Sequence, residues 1–224
     1  TFNANGEVTF TPADGFEGDA VIDYTMTDSE GDPSSSTLTV TVDPDSVPEV
    51  SWLLAEGDDG AVDESALTGG SGGGSLTTSG TLPVVTFNDE LTALTINGEN
   101  VTSGGTIEGT YGDLVVTLET DGTYSWVYTL TDDAPHTDAT ETGSADQFPE
   151  DTFTVTATDD DGDTSPGDDL TIQINDDGPA AVADSTTTAE DTAVTYNVLT
   201  NTDGTSDVAG ADGGATLTAA ALAS

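Results

Sequence analysis

The chain has 224 residues, 44 of them Asp or Glu, no Lys or Arg and a single His, for a formal net charge of −44. Phosphate recognition needs the missing cationic side chains, so nucleic acid is excluded as a partner, and self-repulsion on this scale opposes any compact state without bound cations. Carboxylate and carbonyl oxygens select hard ions, which points to Ca2+. No cysteine is present, so disulfides cannot staple the fold.

Such an acidic composition is also that of disordered segments. Against that reading, apolar residues make up 33% of the chain and fall in short alternating runs rich in Val, Thr, Ile, Tyr and Phe. No apolar run is long enough to span a bilayer, so direct membrane insertion is not expected. The first residues, Thr1 to Gly6, read as the middle of a repeat and the chain as part of something longer.

In chain order, Asn5-Gly6 feeds the alternating run Glu7–Phe10, followed by strand-like Val21–Asp28 and Leu38–Val42. The same series returns as Asp121-Gly122 before Thr123–Trp126, then Phe153–Asp159 and Leu170–Ile174. Between the two copies, Val84–Phe87, Leu91–Ile96 and Leu114–Glu119 are further predicted strands; Tyr124–Leu130, Phe153–Thr158 and Leu170–Asn175 complete the central set. Trp126, Tyr128, Phe87 and Phe153 are the core candidates. Thr68–Gly80, rich in Gly and Ser, reads as a flexible loop. In the last stretch, Ala193–Val198 and Ala215–Leu217 are short predicted strands. The fold class is all-β, with tandem Ig-like or cadherin-like β-sandwiches and calcium at their junctions. Residues 47–178 form one complete sandwich. Residues 1–46 supply closing strands and 179–224 opening strands, too little on their own for a core. These ends are expected to complement each other, within one chain or by swapping between chains.

The acidic residues gather in a pattern. Asp28-Ser29-Glu30-Gly31-Asp32 aligns with Asp159-Asp160-Asp161-Gly162-Asp163, and Asp43-Pro44-Asp45 aligns with Asn175-Asp176-Asp177. Each set offers several hard oxygens within one bend, without the spacing of an EF-hand. A third acidic element follows each linker: Asp58, Asp59, Asp63 and Glu64 after the first, Glu190 and Asp191 after the second. The expected ligands are therefore Asp28, Glu30, Asp32, Asp43, Asp45, Asp63, Glu64, Asp159, Asp161, Asp163, Asn175, Asp176, Asp177 and Glu190. Loop, linker and the opening of the next unit are expected to converge at each junction around calcium.

At this point the chain resembles the extender region of giant RTX-type adhesins exported by type I secretion in Gram-negative bacteria. Phe10-Thr11-Pro12 through Asp28, and Ala189–Val194 through Leu199, are similar to halves of cadherin-like tandem repeats. Asp63–Leu67, Leu114–Val116 and Asp161–Asp163 are similar to the longer repeat of type I-secreted agglutinins. The resemblance implies a calcium-stiffened array at the cell surface whose partners are neighbouring repeats of the same adhesin. An alternative makes the central unit a calcium-dependent carbohydrate- or surface-binding module, with Trp52, Trp126, Tyr111 and Tyr124 stacking on a sugar.

Enzymatic chemistry is not expected. Cys and Lys nucleophiles are absent, no Ser sits in an activated elbow, and His136, in the polar run Asp132-Asp133-Ala134-Pro135-His136, reads as a surface loop residue.

Overall fold

The computed structural model describes residues 1–13, 16–58, 60–87, 89–136, 149–200 and 206–221. It divides into two units, Thr1–Val47 and Pro48–Ser224.

The first unit is a β-hairpin, β1 (Gly18–Thr27) paired antiparallel with β2 (Pro33–Val42). The expected strand over Glu7–Phe10 is reduced, among the described residues, to a single bridge, Phe2 to Val8. Val21, Tyr24 and Met26 of the hairpin are exposed.

The second unit begins with β3 (Glu49–Val50), β4 (Leu53–Leu54) and β5 (Ala61–Asp63), followed by a 3₁₀ turn, Glu64–Ala66. β6 (Thr77–Thr81), β7 (Val84–Val85), β8 (Leu91–Ile96), β9 (Glu99–Asn100) and β10 (Gly105–Glu108) come next. The longest strands close it: β11 (Gly112–Leu118), β12 (Tyr124–Leu130), β13 (Glu150–Asp159) and β14 (Asp168–Asn175). They form two five-stranded sheets, ordered β10-β11-β12-β6-β4 and β5-β14-β13-β8-β9, with β3 and β7 as a separate pair. Read as A-B-E-D against G-F-C, β4-β6-β12-β11 and β14-β13-β8 reproduce the strand order of an Ig sandwich.

Alternation explains the core. Every second residue of β12 (Tyr124, Trp126, Tyr128, Leu130) and of β13 (Phe153, Val155, Ala157) is buried, while Val127 faces solvent. Tyr128 and Phe153 meet across the two layers with ring centroids 5.9 Å apart. Each fully buried side chain of this size contributes roughly 1.5–3 kcal/mol.

Three expectations are corrected here. Phe87 is 56% exposed, since it takes a positive φ of 55° in the turn after β7 and points out of the sheet. The Gly/Ser stretch is a loop only through Leu76, because Thr77–Thr81 are strand β6 between β12 and β4. Gly80 is required there: a Cβ would lie 1.8 Å from the Leu53 carbonyl oxygen and 2.7 Å from the Trp126 ring. Finally, Ala193–Val198 and Ala215–Leu217 are not strands. Val194 and Leu217 are exposed, and among the described residues after Gly178 the only pairing is the bridge between Ala180 and Val208.

Candidate metal sites

The two aligned acidic runs adopt one turn geometry at the tips of two hairpins. In the first, Asp28 Oδ1 accepts from the backbone N–H groups of Glu30 and Asp32, both at 2.9 Å, and Gly31 turns with φ 98°. In the second, Asp159 Oδ1 accepts from Gly162 and Asp163 at 3.2 and 2.8 Å, and Gly162 turns with φ 107°. Only a residue without a Cβ takes such a φ cheaply, which is why glycine is fourth in both runs. The Asp32 and Glu30 N–H groups hold the Asp28 carboxyl below its ordinary value. Burial raises Asp159 instead, helped by the hydrogen-bonded Asp161 carboxyl. Asp28, Glu30 and Asp32 bring carboxylate oxygens within 4.8 Å of one another on the surface, a spacing and chemistry that fit a hard cation.

A second group of acids lies at the opposite end of the sandwich. β5 runs parallel to β14 with Asp63 opposite Asn175, so the opening and closing acids of this unit are neighbours. Asp63 caps the 3₁₀ turn by accepting from Ser65 N–H at 2.9 Å, and this drives Glu64 inward, where it is 0% exposed. Glu64 Oε1 accepts from the Ala134 N–H. Asp177 is held by the glycine-rich loop, accepting from Ser71 N–H and Oγ at 2.8 and 2.5 Å.

The chain beyond β14 then folds back. Ala180 and Val208 exchange backbone hydrogen bonds at 2.9 and 3.0 Å. Gly210 lies so close that a Cβ would sit 2.2 Å from the Asp177 carbonyl oxygen. This contact delivers Asp212 to the acids of the linker. Glu64, His136, Asp176 and Asp212 each place one ligand-type atom within 4.8 Å of the others. Burial pushes Glu64 up to about 6, against the opposing pull of the Ala134 N–H and His136. Burial and the neighbouring Asp176 and Asp133 carboxylates raise Asp212 as well.

Of the expected ligands, the structure thus brings together Asp28, Glu30 and Asp32 at one place, Asp161 and Asp163 at a second, and Glu64 with Asp176 at a third. It does not bring the loop Asp159–Asp163 to the linker Asn175–Asp177. β13 and β14 are antiparallel, with Glu150 opposite Gln173, so the two acidic sets sit at opposite ends of a 10-residue strand, about 30 Å apart. The expected convergence of both at the second junction is corrected by that topology. Asp43, Asp45 and Glu190 are exposed, and Asp63 and Asp177 already serve as cap and loop anchor. Asp59 lies outside the described residues.

His136 is the largest correction. Its side chain is 4% exposed, a burial that the polar run around it hides in the sequence. The available signal was Ala134-Pro135: a small apolar residue and a rigid one just after β12, with Ala134 completely buried. Asp212 had no local signal, since Gly210 places it through a contact distant in sequence. The four aromatics of the sugar-binding alternative are also engaged. Tyr124 and Trp126 are buried, Trp52 and Tyr111 pack against the core, and Trp52 Nε1 donates to the Asp168 carbonyl at 3.1 Å.

The β1–β2 hairpin and the two-layer unit make the described chain all-β, with antiparallel sheets consistent with Ig-like sandwiches. Residues 1–41 match the family described as Bacterial Ig domain. No curated protein matches the chain. Among the described residues, no helix is long and apolar enough to cross a membrane.

Proposed function

We propose that the chain is a structural extender segment of a calcium-dependent, type I-secreted bacterial surface adhesin, adding reach and stiffness outside the cell. The observation that carries this reading is the paired acidic turn, the same backbone bend with glycine in fourth place, on one hairpin of each unit. A repeated cation-suited turn in a chain with no positive side chain except one histidine makes dissolved cations part of the structural design. The match of residues 1–41 to a bacterial Ig domain supports the surface setting.

The apolar side chains left open on the β1–β2 hairpin support completion of that sandwich by further strands, from residues 179–224 or from a neighbouring copy. Calcium at the turns converts repelling carboxylates into shared ligands and stiffens the connections between repeats. Extracellular calcium modules bind at about 10⁻⁴–10⁻³ M, so such a chain stays loose in a calcium-poor cytosol before export. Small-angle scattering of the full chain, in millimolar calcium and after adding a calcium-selective chelator, tests the reading. Chelation is expected to increase flexibility and lower the melting temperature; identical profiles in both conditions would overturn it.

A further inference from the structure

The group at the β5–β14 end differs in kind from the exposed acidic turns, because it contains a nitrogen ligand and is partly closed off from water. His136 Nε2 lies 3.2 Å from the Ile174 carbonyl oxygen. A carbonyl can only accept, so Nε2 carries the proton and Nδ1 is left facing the acids. Nδ1 lies 3.6 Å from Glu64 Oε2 and 3.5 Å from Asp176 Oδ1. Both His136 Nδ1 and Glu64 Oε2 are buried without a hydrogen-bond partner. Leaving two such atoms unsatisfied costs about 1–3 kcal/mol each, and more for a charged one.

We propose that Glu64, His136, Asp176 and Asp212 form a site for a first-row divalent transition metal of the zinc class, bound through His136 Nδ1 and carboxylate oxygens. One cation answers both orphaned atoms at once. The 3.6 and 3.5 Å from Nδ1 to the Glu64 and Asp176 oxygens are close to the ligand–ligand edge of a tetrahedral site with bonds of about 2.0–2.2 Å. The Nε2–H bond to a backbone carbonyl is the outer contact that fixes the tautomer and aim of a metal-bound imidazole.

Two simpler occupants fit less well. A proton on Nδ1 would face two carboxylate oxygens, each beyond hydrogen-bond reach. Calcium prefers six to eight oxygens and gains little from imidazole, whereas zinc-class ions take nitrogen and carboxylate together. The site is independent of the calcium reading of the acidic turns.

His136 is the only imidazole in the sequence, so its ring protons report the site directly. The full chain, held in excess calcium, is titrated with Zn2+ and followed by proton NMR; Co2+ is added in parallel and followed by its visible d–d absorption. The ring signals are expected to change to completion at one equivalent of zinc, and cobalt to give the spectrum of a nitrogen- and oxygen-bound ion. His136→Ala should weaken zinc at this site at least about 100-fold, a first-contact loss at the upper end of what outer partners cost. Glu64→Gln should weaken it about 10-fold or more while preserving side-chain shape. If zinc leaves the imidazole unmoved, if calcium alone moves it equally, or if folded His136→Ala keeps the affinity, the proposal fails. Should His136→Ala not fold, the titration of the unmodified chain decides alone. Failure here would leave the scattering response to calcium untouched.

Discussion

Asp151 shows how a residue that looks like surface charge can become part of a core. It is 2% exposed and accepts from the N–H groups of Thr110, Tyr111 and Gly112 at 2.8, 3.0 and 3.2 Å and from the Tyr128 hydroxyl at 2.7 Å. One carboxylate thereby ties the start of β13 to the turn between β10 and β11 and, through Tyr128, to β12. Burial and this carboxylate hold the Tyr128 hydroxyl far above its ordinary value, so it remains a donor at every working pH. Asp151→Ala is expected to cost about 3 kcal/mol or more, measured by urea unfolding, because four donors lose a charged acceptor. Asp121 gives a pH signature. The Thr123 hydroxyl and N–H hold it below its ordinary 3.8, so the folded state favours its charged form. Its stabilisation is present above that value and lost as pH falls through the lowered one. The melting-temperature gap between the unmodified chain and Asp121→Ala should be open at neutral pH and close in acid.

At the scale of elements, the central strands were legible because period-two alternation leaves a direct trace: Leu91–Ile96 and Tyr124–Leu130 are predicted and observed with the same limits. Strand β6 was not legible. Its Thr-Thr-Ser-Gly-Thr sequence has no apolar side, and its place is set by what it touches, Gly80 admitting Leu53 and Trp126 at close range. Gly80→Ala should therefore destabilise by about 1–3 kcal/mol, read by chemical denaturation, with Trp126 fluorescence reporting the disturbed packing. The candidate sites divide in the same way. The Asp28–Asp32 turn was readable because all its oxygens lie within five consecutive residues. Only half of the histidine site was readable, because Glu64 and Asp176 sit in acidic runs while His136 and Asp212 arrive through long-range contacts.

For the whole molecule, charge governs behaviour. With 44 carboxylates and no Lys or Arg, the unfolded chain repels itself strongly, and any cation that binds only the folded form shifts the balance by mass action. The melting temperature should rise with calcium at constant ionic strength, a comparison that separates specific binding from screening. Trypsin should leave the chain intact even in urea, since no cleavage residue exists, whereas a protease cutting after aromatic residues should digest it once unfolded. The adjacency of β5 and β14 has a mechanical result. β5, which follows β3 and β4 near the start of the unit, and β14, its last described strand, run side by side in the same direction, joined over Ala61–Asp63 and Gln173–Asn175. Tension along the polypeptide drags them past one another lengthwise, so their rungs are strained together instead of being peeled open one after another. For the extender proposed above, that arrangement would place the load in shear.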